Sequence, residues 1–304
     1  MKETVYLLKR NILLYFRDYA AVFFSLLSML IVLALMVIFL GKMNSENVLD
    51  ALEQYGGARD AETDKANVDY LIQMWTLAGI LVVNTVTVTL TVTGKMVEDQ
   101  MSHKLVSFYV TPVKRIKIAL GYIFSAWFVG TLMSLVTLAA GECYMLISGH
   151  SLLPFLSLLK LSGLIVLNAF VYSAISYLLA LLVRSSSAWG GLQTIVGTLV
   201  GFVGAIYLPV SMLPDGVLKA IKCLPVLHGA ALMRTICIQD ALETAFHGMP
   251  DAAKEIFNEQ MGVSILYQDE KIDPLWQILF LAGYGIITIA LSAVITNKRR
   301  LRDR

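Results

Sequence analysis

Charge is what this chain is short of. Only 15% of its 304 residues are Asp, Glu, Lys or Arg, while 57% are hydrophobic. A soluble domain carries about 25% charge, so an ordinary water-facing surface is excluded. Cysteine is scarce too: Cys143, Cys223 and Cys237 show no CxxC or Cys/His ligand spacing, which removes a disulfide scaffold or a zinc site as the organising principle. A single Cys223–Cys237 bridge stays open. The phosphate-binding loop GxxxxGK[ST] is missing, since Gly94-Lys95-Met96 lacks the upstream glycine and the hydroxyl. HExxH and GxSxG are missing as well, and His103, His150, His228 and His247 are scattered. The chain therefore carries no catalytic, cofactor-binding or metal-ligating set of its own. Its start, Met1 to Arg17, has neither the short apolar core nor the cleavage site of a signal peptide.

What is present is apolar sequence in blocks, with a mean hydropathy of +0.71. Runs of about eighteen or more apolar residues read as bilayer spans. Six are expected, at about 19–40, 70–93, 118–147, 153–183, 190–208 and 275–295. Residues 1–18 are too charged to span. On a helical wheel Val5, Leu8, Ile12, Tyr15, Phe16 and Tyr19 share one face, and Lys2, Lys9, Arg10 and Arg17 another. That pattern suits a helix lying in the membrane interface, with an ordinary amphipathic helix as the plainer reading. After the fifth block, YLPVSMLPDGVLKAIKCLPVLHG breaks into pieces too short to cross. It suits a re-entrant hairpin over about 209–234, followed by a polar segment over 235–273.

Basic residues set the orientation. Residues 2–18 hold four, 95–117 five and the tail five, whereas 41–69 has three against seven acids and 212–273 five against nine. With six spans, every basic segment falls on one side, which places both termini in the cytoplasm. The expected architecture is thus an all-α membrane protein, a single domain over 1–304 with an interfacial helix, six spans and a re-entrant hairpin.

Within the spans, ionisable groups are few. Glu142 and Lys160 are expected at similar depth on either side of a tight turn, where they would form an ion pair, line a path, or snorkel outward. The threonine ladder Thr85, Thr87, Thr89, Thr91, Thr93 and the glycine-rich fifth block serve either helix packing or a path. Between the second and third blocks lies KMVEDQMSHKLVSFYVTPVKRIKIALGYI. It opens with Glu98 and Asp99, continues into a helical stretch in which Leu105, Phe108 and Tyr109 share a face, and stops at Thr111-Pro112. Lys114, Arg115 and Lys117 then anchor the next span at an anionic leaflet. This is either a rigid element able to pass a push into two spans or a solvated loop.

Three stretches resemble the type-2 ATP-binding-cassette exporter permeases. They are the amphipathic start with its Arg17-Asp18 step, the segment VEDQMSHKLVSFYVTPVKRIKIALGY, and LPVSMLPDGVLKAIKCLPVLHGAALMR with Pro209, Pro214, Pro225, His228 and Arg234. One departure is plain: many members carry a Gly-Thr step where this chain reads Met101-Ser102-His103. The resemblance implies a multi-pass protein of a bacterial plasma membrane, paired with a second permease, alike or different, and with separate ATPase subunits that bind ATP and Mg. Nucleic acid has no part. It further implies that Glu98, Asp99, Leu105, Phe108, Tyr109, Pro112, Lys114 and Arg115 form the ATPase-coupling surface, with the acids facing basic groups of the ATPase and Phe108 and Tyr109 filling an apolar notch. The hairpin of Pro209, Pro214 and Pro225 would be the outer gate, and the cargo a hydrophobic or amphiphilic drug, antibiotic, peptide or lipid. Two rivals remain. A secondary transporter or channel would want several mid-bilayer carboxylates, and a non-transporting docking or sensing subunit would show the same surface.

Overall fold

The computed structural model describes residues 2–35, 45, 46, 48–50, 52, 60–105, 108, 113–268 and 270–302. Much of the expected 41–69 segment, together with Tyr109 and Pro112, lies outside the described residues. Helix α1 (Lys2–Arg17) is followed after one residue by α2 (Tyr19–Leu35). Asp18 makes the corner, accepting a hydrogen bond from the backbone N of Ala21 at 3.1 Å and so capping α2.

α3 (Ala61–Met101) is the longest element, at 41 residues. Asp60 starts it by accepting from Thr63 N at 3.2 Å. The alternating Val/Thr stretch stays helical because each threonine hydroxyl finds a carbonyl one turn back. Thr85 donates to Leu81 O at 2.6 Å, Thr89 to Thr85 O at 2.9 Å and Thr93 to Thr89 O at 2.7 Å. At about 1.5 Å per residue the rod is roughly 60 Å long, twice a hydrocarbon core of about 30 Å. The block expected at 70–93 is therefore only its middle, and the acidic pair rides on the same helix. It ends where Ser102 caps it and His103 turns into the left-handed region at φ 57°.

α4 (Arg115–Ile147), α5 (Phe155–Leu182), α6 (Ser186–Val203) and α11 (Pro274–Arg302) complete the lengthwise elements. Among the described residues, α3, α4, α5 and Pro274–Asn297 of α11 are long and apolar enough to cross a bilayer. A fifth is counted if the bent pair α7 (Asp215–Ile221) and α8 (Pro225–Cys237), which meet at 87°, is one span. Helices also stand at the first and fifth expected blocks, 17 residues in α2 and 18 in α6. The apolar window of α3 is 89% buried and that of α11 only 22%. α3 is thus the axis, wrapped by α4, α5, α6 and α8, and α11 is a peripheral helix lying on α5.

Beyond α8 come α9 (Gln239–Ala245), α10 (Asp251–Gln260) and a two-stranded antiparallel pair, β1 (Leu266–Tyr267) with β2 (Glu270–Lys271). The expected proline punctuation is seen as helix starts. Pro209 precedes a short 3-10 turn, Pro214 precedes α7, and Pro225 is the first residue of α8. Cys223 and Cys237 are both free thiols, the second buried, so the bridge left open by the sequence is not formed.

This end of the molecule is tied together by Arg234, which is fully buried. Its guanidinium donates to Gly204 O at 3.1 Å, Ala205 O at 2.6 Å and Gly262 O at 3.2 Å, and lies 4.4 Å over the Trp75 ring. Trp75 Nε1 in turn donates to Met261 O at 2.9 Å. One cation thereby joins α3, the end of α6 and the loop after α10.

Candidate functional site

At the opposite, basic end, α1 lies across α4 and the last turns of α3. The stripe that α1 buries is Leu7, Asn11 and Tyr15, one residue per turn. Of the apolar face expected from the sequence, Tyr15 is buried, Leu8, Ile12 and Phe16 are half-buried, and Val5 and Tyr19 are exposed. Contact with α4 is close because position 121 is glycine. A Cβ there would stand 2.7 Å from Leu7 Cδ2. Asn11 is buried and donates to Ser125 Oγ at 3.3 Å.

The centre of this junction is Asp99. Its carboxylate accepts from Arg10 at 2.6 and 2.8 Å, a two-pronged pair, and from the Tyr122 hydroxyl at 2.6 Å. Three helices, α1, α3 and α4, meet on one carboxylate. The bonds to Asp99 push the Arg10 guanidinium further above the usual arginine value, so it stays charged at any working pH. Arg10 also lies 5.6 Å over the Phe108 ring. Around this centre, Lys95 bridges Glu98 at 2.9 Å and Asp18 at 3.5 Å, and Lys117 reaches Glu3 at 3.4 Å.

The expected coupling residues are therefore split. Asp99 and Leu105 point inward and are buried, and Phe108 is half-buried beneath Arg10. Glu98 keeps 58% of its side chain in solvent, and Lys114, which precedes α4, is exposed. Arg115 is half-buried. Asp99 is engaged within the chain, which differs from the outward-facing position that the resemblance implies. Hydropathy reasoning missed Arg10 and Tyr122 as its partners. The signal available was an arginine whose neighbours one helical turn away, Tyr6, Leu7, Leu13 and Leu14, are all apolar.

Glu142 and Lys160 are not brought together. The Glu142 carboxylate is buried and accepts from the backbone N of Leu153 at 3.0 Å, closing the turn between α4 and α5. Lys160 is exposed. The threonine ladder also divides. Thr85 meets Ser134 of α4 at 2.8 Å and Thr89 meets Ser176 of α5 at 3.5 Å, so those two seal helix contacts. Asn84 adds a 2.8 Å bond to Thr137. Thr87 and Thr91 lie on the less buried side, where Thr87 adjoins Gly197 of α6.

At this basic end Leu105 is buried and Phe108 lies beneath Arg10, while Lys114 and much of the Glu98 side chain, paired with Lys95, remain exposed. A family model described as ABC-2 family transporter protein matches residues 58–294. No curated protein matches the chain.

Proposed function

The chain belongs to the ABC-2 transporter family, whose members are transmembrane permease subunits, and we propose that it is the permease of an ATP-driven exporter. Its cargo on this reading is a hydrophobic or amphiphilic compound carried out of the cell. ATP and Mg are bound and turned over by separate ATPase subunits, and this chain's share is to convert their motion into a change at the opposite end.

The observation that carries the reading is the Asp99 junction. A partner pressing on Glu98, Lys114 and the chain between α3 and α4 pushes directly on α3. Because α3 is the buried axis, displacement at its basic end reaches α4, α5, α6 and α8 together. Proteins transmit such shifts because packed interfaces switch between arrangements rather than deform smoothly. Asp99, Leu105 and Phe108 act here as positioning residues that keep the docking surface stiff. Glu98, Lys114 and Arg115 supply its charge, with Tyr109 and Pro112 between them in sequence.

The remaining architecture follows the same reading. Arg10, Lys95 and Lys117 gather at one end, and the positive-inside rule assigns that end to the cytoplasm with both termini beside it. α2 and α6 complete six spans, and the bent α7–α8 pair, led in by Pro209 and Pro214 and broken before Pro225, forms a re-entrant outer gate. α6 exposes Ile195, Leu199 and Phe202. A second permease covers that face and places Thr87 and Thr91 near the path between the two.

Co-purification from native membranes in mild detergent, with an ATPase assay, tests the proposal. A soluble ATPase should accompany the chain, and Glu98→Lys or Lys114→Glu should strip it away or uncouple its turnover without changing thermal stability. A chain that purifies with no ATPase and no nucleotide turnover refutes it.

A further inference from the structure

Where α8 meets the start of α11, far from the Asp99 junction, lies a cavity of about 420 Å³ walled by His228, Ile272, Trp276, Gln277, Leu279 and Phe280. His228 and Gln277 are both buried, each 4% exposed. The His228 ring is held by Nε2, which sits 2.9 Å from the Lys222 carbonyl oxygen. That bond requires the proton on Nε2, so Nδ1 of the neutral ring is an acceptor. Gln277 donates its amide to Ile272 O at 3.1 Å, which leaves Oε1 as a second acceptor. Nδ1 and Oε1 come near enough to feel each other, but with the ring neutral both are acceptors and neither finds a donor. Two acceptors cannot satisfy each other, and a buried polar group left alone is unfavourable. What satisfies both is a group with at least two N–H or O–H donors.

The surroundings narrow the choice. A phosphate or carboxylate brings only acceptors and is excluded. Aromatic rings line the wall: Phe280 packs on His228 at 4.6 Å between centroids, and Trp276 is 68% exposed at the mouth. Such rings attract a cation. The cavity occupies the first two turns of an apolar helix of membrane-crossing length, the level at which tryptophan marks the boundary between headgroups and hydrocarbon. Below it α11 is bare toward the lipid. Gly283 has open space beside it, and Leu279, Ile286 and Ile287 are exposed.

We infer that this cavity binds an amphiphile with a primary ammonium head, which donates to His228 Nδ1 and Gln277 Oε1 while its chain lies along α11 past Gly283. The head belongs either to a soluble long-chain amine or to an ethanolamine lipid. The site is independent of the export reading and holds whether the amphiphile is carried or merely resident.

The test uses the full chain in nanodiscs of phosphatidylcholine, whose quaternary head has no N–H donor. Dodecylamine is titrated while tryptophan fluorescence is followed, with Trp276→Phe identifying the signal from the mouth. Saturable binding is expected. Dodecyltrimethylammonium, with the same chain and charge but no N–H, should bind at least tenfold more weakly, a contrast that needs no variant. Gln277→Leu should weaken dodecylamine at least tenfold, whereas Gln277→Glu should keep or tighten it. Adding phosphatidylethanolamine to the discs separates the two sources: competition identifies the lipid head, and no competition the soluble amine. Equal binding of the two ammonium compounds, or no saturable change at Trp276, overturns the inference.

Discussion

The Arg10–Asp99 pair makes an asymmetric prediction. The two side chains are unequally shielded, with 29% of Arg10 exposed but only 6% of Asp99. Replacing Arg10 by Met leaves a buried carboxylate whose remaining hydrogen bond is the Tyr122 hydroxyl. Breaking a buried pair from one side costs roughly 3–5 kcal/mol, and the tyrosine offsets part of that, so about 3 kcal/mol is expected. Replacing Asp99 by Asn leaves a guanidinium that turns toward water, so the charge-assisted bonds, worth about 1.5–3 kcal/mol each when fully buried, are discounted to about 1–2 kcal/mol in all. Removing both charges together should then cost less than Arg10→Met alone, because no ion is left stranded. Unfolding free energies in mixed micelles titrated with dodecyl sulfate measure all three variants. The reasoning fails if Asp99→Asn is as damaging as Arg10→Met, or if the two effects simply add in the double variant.

Three further outcomes are expected. Gly229→Ala would bring a Cβ to 2.2 Å from Asn168 Oδ1, which should destabilise the α5–α8 contact by about 1–3 kcal/mol; Asn168→Ala should relieve the clash, and a lack of rescue in the same micelle titration counts against that contact. His103→Gly removes a left-handed side-chain residue at φ 57° and should raise stability by several tenths to about 1 kcal/mol, whereas His103→Val should lower it; a thermal melt that ranks them otherwise contradicts this. Arg234→Lys cannot reach three carbonyls and the Trp75 face at once, so a loss of roughly 2–4 kcal/mol is expected; a lysine variant melting with the wild type would show that the forked geometry is unimportant.

The long apolar helices were legible because burial in lipid needs only an unbroken hydrophobic run. What escaped the sequence was where α3 stops. Glu98 and Asp99 read as opening a segment separate from the second span, a rigid element or a solvated loop, yet the helix of that span continues through both, where Lys95 pairs with one and Arg10 with the other. The Arg10 partner lies 89 residues away in sequence, and no local periodicity encodes a distance of that kind. The stripe of α1 that packs on α4 was not legible for a related reason. Hydropathy favours Val5 and Tyr19, but the buried stripe is fixed by Gly121 and Ser125 of α4, which admit Leu7 and Asn11. Glu142 was recognisable as a costly intramembrane acid. Its acceptance of the Leu153 amide depends on how sharply the chain turns after α4, which pattern alone does not specify.

The separation between Arg10 and Asp99 also bears on how the chain is made. At roughly 5–20 residues per second, Asp99 leaves the ribosome about 4–20 s after Arg10, and Tyr122 later still. During that interval α1 has no carboxylate to hold it. The exposed side chains of Val5, Tyr6, Leu13 and Tyr19 would keep the nascent helix lying on the bilayer surface until the α3–α4 pair inserts beside it. These partly exposed apolar residues would thus serve during biogenesis as a mooring that holds α1 at the bilayer until its carboxylate partner arrives.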